Sequence, residues 1–360
     1  MKEPSVSNMQ TERIRESLLG EDVGRRLRCN ACERRCLILA GRTGFCSARK
    51  NIGGVLHTLV YGDISSISAN PIEKKPLFHF YPGTRALTIG GWSCNFSCPW
   101  CQNWEISQFP QKIGSGQYLS PGAFIDLVGR YNCQGTSISL NEPTLLLEYS
   151  LDIFDLAKAK GYYNTSVTNG YMSTEALQLL IEHGRLDAMN IDIKGDAETV
   201  RTFCAADMDL IYRNAILAKQ GGIWIELTTL IIPGVNDGSE QLRQIVQRII
   251  RELGNQTPWH ISGYHPAYKF ETDDYHSPTP VPTLEKARQI GIEEGMQYVY
   301  IGNVPGHPHQ NTYCPDCGRC LIERDGFSIT RYSITQNNTC PHCKKIIPII
   351  GKPVAIGDLG

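Results

Sequence analysis

The sequence predicts an α/β fold, a parallel sheet covered by helices, with a cysteine-rich addition at each end. Three observations carry this expectation. From residue 85 to about residue 302, short apolar runs alternate with amphipathic stretches, the pattern of successive strand–helix units. Recognisable helix starts stand at the head of several of those stretches. The 14 cysteines of the chain fall into groups of four at 29–46, three at 94–101 and five at 314–343, with Cys133 and Cys204 standing alone. The domain boundaries that follow are 1–84 for the N-terminal cysteine-rich segment and its connector, 85–305 for the strand–helix core, and 306–360 for the C-terminal module.

Bulk properties bound the function. At 360 residues, with 41% hydrophobic and 20% charged residues, the chain has the composition of an ordinary globular protein large enough for a sizeable core. Its formal net charge of -1 gives no argument for nucleic acid or membrane partners. Met1 to Arg28 is polar and charged, without the apolar core of a signal peptide, and no later segment reaches membrane-spanning length. A cytoplasmic protein is expected, and cysteines there are metal ligands more often than disulfides.

Taken in order, residues 1–24 carry a short helical pattern. Cys29-x2-Cys32-x3-Cys36, with Cys46 beyond, puts four thiols within eighteen residues. They suit one tetrahedral zinc, the reading the knuckle-like spacing favours, or an auxiliary iron–sulfur cluster. Arg25, Arg26, Arg28, Arg34, Arg35, Arg42, Arg49 and Lys50 in the same stretch face only Glu33 and read as a solvated basic face, with docking of an acidic partner as the sharper alternative. Residues 55–68 alternate as a strand. Asn70 to Gly83, with three prolines, reads as an extended connector.

The core strands are expected at Ala86–Gly90, Gly135–Leu140, Tyr163–Thr168, Ala188–Ile193, Ile223–Ile232, Trp259–Tyr264 and Val299–Ile301. Between them, Ser120-Pro121 gives an N-cap with proline at the first helical position. Ser173-Thr174-Glu175, Ser239-Glu240 and Thr283-Leu284-Glu285 open further helices. Residues 271–282 form a polar, proline-rich loop. In the tail, Cys314-Pro315-Asp316-Cys317 and Cys340-Pro341-His342-Cys343 are two knuckles at nearly zinc-ribbon spacing. Zinc is the expected occupant and a rubredoxin-like single iron the rival. Cys320 reads as a non-ligand. The linking segment from Leu321 to Thr339 looks polar and poor in core residues, so the module should fold on its metal and then present a surface to a partner or cover the mouth of the core. Cys133 and Cys204 read as buried small hydrophobes.

The first core strand runs directly into Gly91-Trp92-Ser93-Cys94-Asn95-Phe96-Ser97-Cys98-Pro99-Trp100-Cys101. Three thiolates at C-x3-C-x2-C spacing can hold three irons of a [4Fe-4S] cluster and leave the fourth iron open to a small molecule. Trp100 adds a flat aromatic surface. A three-cysteine zinc site completed by His79 is the plainer alternative, and the residues downstream weigh against it. This motif resembles that of the radical S-adenosylmethionine (SAM) enzymes. The resemblance implies a partial, TIM-like (β/α)6 barrel, SAM chelated at the open iron, and reductive cleavage of SAM to methionine and a 5′-deoxyadenosyl radical.

Strand ends supply candidate SAM contacts, since ligands of βα architectures bind at the C-terminal ends of strands. These are Asn141 and Glu142, a carboxylate able to hold an ammonium group; Thr168 and Asn169; Asp192 and Lys194, on one face by period-2 alternation; and His265, near the adenine, with Trp100 on the adenine side. Along nearly the whole chain, the N-terminal cysteines, Asn70-Pro71-Ile72-Glu73-Lys74-Lys75-Pro76, Asn141-Glu142-Pro143-Thr144, Val167-Thr168-Asn169-Gly170, Asp192-Ile193-Lys194-Gly195, Ile232-Pro233-Gly234-Val235-Asn236-Asp237 and the terminal ribbon are similar to the radical SAM component of the AmmeMemoRadiSam system, a branch related to the activators of pyruvate formate-lyase. That resemblance implies AMMECR1-like and Memo-like partners. An electron donor such as flavodoxin or ferredoxin is also expected. The chain departs from the glycyl-radical activators in carrying Thr228 where they have arginine, and in its two cysteine-rich additions. Activation of a glycyl-radical enzyme is the second reading, and a non-catalytic metal-binding scaffold the third. No residue identifies the substrate.

Overall fold

A computed structural model describes residues 12–271 and 277–352. Its centre is one eight-stranded sheet. Strand β1 (Ser66–Pro71) runs antiparallel to β2 (Arg85–Gly90) at one edge. From β2 the sheet continues in parallel through β3 (Gly135–Ile138), β4 (Tyr163–Thr168), β5 (Ala188–Asp192), β6 (Trp224–Ile231), β7 (Trp259–Gly263) and β8 (Val299–Gly302). All seven strands expected of the core are present, and in sequential order. Strands such as β8 read as the nearly continuous apolar runs of strands buried on both faces, whereas β3 and β4 bury polar side chains such as Thr136, Ser137, Asn164 and Thr165.

The connections carry α1 (Pro121–Arg130), α2 (Leu147–Ala159), α3 (Thr174–Ile181), α4 (Ala197–Cys204), α5 (Met208–Gln220), α6 (Ser239–Leu253) and α7 (Val281–Glu293). Right-handed crossovers between neighbouring parallel strands place successive helices on the same side of a sheet. Ser120 and Ser173 cap α1 and α3 as expected, accepting from the amides of Ala123 and Ala176. Two starts differ. Gly238 rather than Ser239 is the N-cap of α6, and α7 begins at Val281, two residues before Thr283.

Other expectations fail where elements are short or polar. The helical pattern over 1–24 lies outside the described residues as far as residue 11. From Arg15 the chain forms strands instead, Arg15–Glu16 and Gly20–Val23, the latter paired with Arg26–Cys29. The single strand expected over 55–68 is three, Val55–Thr58, Asp63–Ile64 and the start of β1, because the chain turns at Gly62, whose φ is +64°. The connector after Asn70 is no loose extension. Ile72–Lys74 makes a 3-10 turn, and Ile72, Glu73, Leu77, Phe78 and His79 are buried. Within the proline-rich loop, residues 272–276 lie outside the described residues.

The connector seals the end of the sheet where the strands begin. Both oxygens of the fully buried Glu226 accept hydrogen bonds there, from the amides of Phe78 (2.9 Å) and His79 (2.8 Å), Trp224 Nε1 (3.0 Å) and His260 Nε2 (2.7 Å). The C-terminal module, β9 (Thr312–Tyr313), β10 (Cys320–Asp325) and β11 (Ser328–Tyr332), docks on this same end. Arg324 Nη2 donates to the Phe78 carbonyl at 3.0 Å, and its guanidinium lies 4.2 Å from the Phe78 ring centroid. Leu321, Ile322, Ile329 and Ile334 form a buried cluster with Phe78, Tyr298 and Tyr300. The module therefore has apolar contacts of its own, contrary to the expectation of a core-poor segment, and it closes the bottom of the sheet rather than the mouth.

Candidate metal and cofactor site

Because β2 to β7 are parallel, the segments that follow them converge on one rim. The cysteine loop after β2 is held there by side chains from its neighbours. Asn141, after β3, accepts from Gly91 N at 2.8 Å and donates from Nδ2 to Ser93 O at 3.0 Å. Gly91 packs so closely that a Cβ would lie 3.0 Å from Leu146 Cδ1. Ser93 (φ 69°) and Leu140 (φ 78°) both adopt left-handed backbone, a conformation that costs on the order of 1–3 kcal/mol for a side-chain-bearing residue and concentrates at functional sites. Asn103 Nδ2 fixes the Leu140 carbonyl at 2.8 Å.

The three cysteines of the loop lie close enough to influence one another. Cys98 and Cys101 each act electrostatically on Cys94. Backbone amides point at the sulfurs: Phe96 N donates to Cys94 Sγ at 3.4 Å, and the Asn103 amide reaches Cys101. Such donors favour the thiolate, the form that ligates metal. Burial pushes the Cys94 thiol well above its ordinary range, as it does Cys101, so these sulfurs are poised to ionise only against a cation. Cys98 is different. Its Sγ lies 3.5 Å from that of Cys204, and this contact, with Lys194, lowers Cys98 against its burial, while the same contact and burial raise Cys204. Cys204 is thus buried as expected, but it ends α4 directly beside the cluster loop.

Glu142 is 2% exposed and already well supplied with donors. Its Oε1 accepts from Thr144 N (3.1 Å), Thr144 Oγ1 (2.6 Å) and Thr168 Oγ1 (2.8 Å), and Oε2 accepts from Asn169 N at 2.9 Å. The carboxylate therefore ties the β3 rim to the β4 rim, and burial still raises its pKa against all four donors. Asn169 Nδ2 donates to Asn95 Oδ1 at 2.7 Å and lies 3.9 Å from Cys94 Sγ. Lys194 donates to Asp192 Oδ2 at 2.9 Å; burial works against its charge, but Asp192, Cys98 and Cys204 hold its pKa well above the ordinary value. Asn141, Glu142, Thr168, Asn169, Asp192 and Lys194 thus sit round the cysteine loop, while His265, beyond β7, is exposed.

Trp100 is buried between Phe203 and Phe270, with ring centroids 5.4 and 5.6 Å away. The amides of Lys269 and Phe270 donate to the Pro99 carbonyl at 3.0 and 3.3 Å, and Trp104 stacks on Tyr268 at 5.7 Å. An aromatic wall from the segment after β7 therefore closes on the loop. Phe203, Phe270, Tyr268 and Cys204 are site residues that sequence reading missed, since nothing local marks an isolated aromatic or cysteine as one. His79, the alternative fourth zinc ligand, is fully buried at the opposite end of the sheet, its ring bonded to Tyr300 and to the Pro348 carbonyl.

The C-terminal cysteines form a tighter set. Cys314 and Cys343 sulfurs lie 3.4 Å apart, and Cys317 and Cys340 3.7 Å. Among the described residues these four are the one group of three or more His, Cys, Asp or Glu ligand atoms all within 4.8 Å of one another. Four thiolates about 2.3 Å from one tetrahedral zinc stand about 3.8 Å apart, so the spacing fits a single ion. Cys320 Sγ instead points to the Ile322 carbonyl at 3.7 Å.

The N-terminal segment lies against the cluster loop. Arg34 donates from Nε to Asn95 O (2.8 Å), from Nη1 to Ala205 O (2.8 Å) and from Nη2 to Cys204 O (2.9 Å). Arg49 is 2% exposed and paired with Glu148 at 2.7 Å. Arg35 pairs with Glu33 and Glu175, and Arg28 with Glu21. The basic stretch is therefore largely consumed in internal pairing, and only members such as Arg25, Arg26 and Arg42 remain as an exposed face.

The profile of the Radical SAM superfamily matches residues 92–249. The chain is 44% identical over 339 residues to the uncharacterized protein MJ0808 of Methanocaldococcus jannaschii, covering 94% of this chain and all of that protein. It is 24% identical over 230 residues to MJ1227 of the same organism, named as a candidate glycyl-radical enzyme activating enzyme, covering 62% of this chain and 89% of that one. A crystal structure of a domain of pyruvate-formate lyase-activating enzyme from Bacteroides vulgatus aligns at 19% identity and a TM-score of 0.40, over 47% of this chain and 99% of that domain. Among the described residues no helix is long and apolar enough to cross a membrane.

Proposed function

Because the chain belongs to the radical SAM superfamily, we propose that Cys94, Cys98 and Cys101 bind a [4Fe-4S] cluster and that the rim above the sheet binds SAM for its reductive cleavage. The carrying observation is the cysteine loop itself: three thiols fixed on the strand-end rim, with backbone amides at Cys94 and Cys101 and a half-buried cation, Lys194, acting on Cys98. Three thiolates leave one iron unligated. When bound, cluster and SAM supply one-electron cleavage to methionine and a 5′-deoxyadenosyl radical.

The chain's own residues bind and orient. Glu142 Oε2 accepts one hydrogen bond within the protein and has a second lone pair for the SAM ammonium. Asn169 and Thr168 stand at the next strand end, and the Asp192–Lys194 pair offers an acceptor to a ribose hydroxyl and a cation to a carboxylate. Trp100 and the aromatic wall keep water from the adenine side, with His265 at the outer lip. We read the open, sequentially ordered sheet as the partial (β/α)6 barrel of this family. Zinc is the proposed occupant of the C-terminal cysteines. The substrate is proposed to lie within the AmmeMemoRadiSam system, with AMMECR1-like and Memo-like proteins as partners and a cytoplasmic flavodoxin or ferredoxin as donor. Activation of a glycyl-radical enzyme is the second reading, favoured by the likeness to MJ1227.

Anaerobic reconstitution tests the core of this. Replacing Cys94, Cys98 and Cys101 together by alanine should remove about four irons and four sulfides per chain and abolish dithionite-driven formation of 5′-deoxyadenosine. Unchanged iron content in the triple variant would sink the reading.

A further inference from the structure

We propose that Cys29, Cys32, Cys36 and Cys46 hold a second [4Fe-4S] cluster, seated directly behind the loop that carries Cys94. All four cysteines line one small pocket, together with Arg34, Arg49 and Asn95. Every one of the four sulfurs has a backbone amide aimed at it: Ala31 at Cys29, Arg34 at Cys32, Phe45 at Cys36 (3.4 Å) and Ala48 at Cys46. A thiolate set wrapped in amide donors is a metal-ligand arrangement.

Spacing decides between one ion and a cluster. The ribbon cysteines draw within 4.8 Å of one another, as a single tetrahedral ion requires, whereas among the described residues no three of the N-terminal cysteines do so. Thiolates that each bind a different iron stand further apart than four thiolates sharing one zinc. The cavity also offers what a sulfide-bearing, anionic group needs. Arg34 and Arg49 line it as cations. So does Asn95, which is fully buried and whose Nδ2 has no hydrogen-bond partner in the protein while its Oδ1 accepts from Asn169. An orphaned buried N–H is costly, and a cluster sulfide is an acceptor that satisfies it.

The two cysteine sets are joined by short links. Ser93 Oγ donates to the Cys46 carbonyl at 2.7 Å, one residue before Cys94, and Arg34 bonds the Asn95 carbonyl, one residue after it. With four protein ligands the second cluster has no open iron, so SAM cannot bind to it.

Iron, zinc and acid-labile sulfide should be measured on the full-length Cys94→Ala/Cys98→Ala/Cys101→Ala variant, reconstituted anaerobically. The expected result is a remaining content of about four irons and four sulfides per chain, lost when Cys29, Cys32, Cys36 and Cys46 are also replaced by serine. Sulfide separates this cluster from a lone ion in the ribbon. Zinc without sulfide, two irons, or no metal at the N-terminal cysteines would overturn the proposal. Should the variants fail to fold, electron paramagnetic resonance of the reduced, unmodified protein decides. Two cluster signals, one shifted by SAM and one indifferent to it, support the second site, and a single signal that SAM shifts entirely refutes it.

Discussion

The two cysteine-rich additions look alike in sequence and do opposite things in space. The N-terminal one lies on the rim, where Arg34 and the Cys46 carbonyl touch the cluster loop. The C-terminal one lies under the sheet, where Arg324, Phe78, Tyr300 and His79 seal the strand starts. In βα architectures the strand-end face carries chemistry and the opposite face carries stability. The same residue type therefore lies beside the candidate site at one end and beneath the sheet at the other, and its spacing alone does not say which.

Variants can break or sharpen that contrast. Cys314→Ser/Cys340→Ser should remove one zinc per chain and give the largest loss of stability. Structural zinc contributes on the order of 10–16 kcal/mol in isolated zinc peptides, and the apolar cluster beneath the sheet will retain part of the module's fold. Calorimetry should show a much lower Tm, with SAM cleavage per folded molecule unchanged. A fall in cleavage that tracks zinc loss would place the ribbon in the catalytic apparatus. Next, Glu226→Ala strands two backbone amides, the Trp224 indole N–H and His260 without their acceptor, each buried group left unsatisfied costing about 1–3 kcal/mol. SAM affinity should not move.

His79 gives the bottom end an acid sensitivity. Burial holds its pKa down at about 4, from an ordinary 6.5. The unfolded chain therefore binds the proton first, and the contribution of neutral His79, up to about 3 kcal/mol, is complete above pH 6.5 and drains away between there and pH 4. Urea titrations across that range should show the slope in the parent and a flatter one in His79→Gln. The smallest effect on stability, about 1–3 kcal/mol, is expected for Arg34→Ala at the rim, yet this variant should slow SAM cleavage because the cluster loop loses its tether. Equal cleavage in Arg34→Ala and parent would erase the distinction between the ends.

Much of this was legible beforehand. Buried parallel strands, the serine caps at Ser120 and Ser173, and the three cysteine spacings are local signals. What escaped was long-range. Cys204 meets Cys98 across 106 residues, and Arg49 meets Glu148 across 99. The donors round Glu142 come from its own turn and from the next strand, so its carboxylate looked freer in sequence than it is. The short strands Arg15–Glu16 and Gly20–Val23 are exposed and lack the apolar alternation that marks a strand, and the ribbon's isoleucines read as sparse because their partners, Phe78 and Tyr298, lie far away in the chain.

The docking of the two chain ends also dictates an order of events during synthesis. Ribosomes release the N-terminus first, but Arg49 waits 99 residues for Glu148 and Arg34 waits 171 residues for Ala205, which lies near the middle of the core. Cys29 packs within its own segment, against Leu27, Ile38 and Leu56, but that segment's contacts with the core wait while the sheet is being made. The bottom closes only at the end of translation, when Pro348 and Arg324 reach back to His79 and Phe78 across 269 and 246 residues. Metal delivery to the nascent chain is therefore open longest at the N-terminal thiols, which makes co-translational supply of iron and exclusion of oxygen a matter of yield.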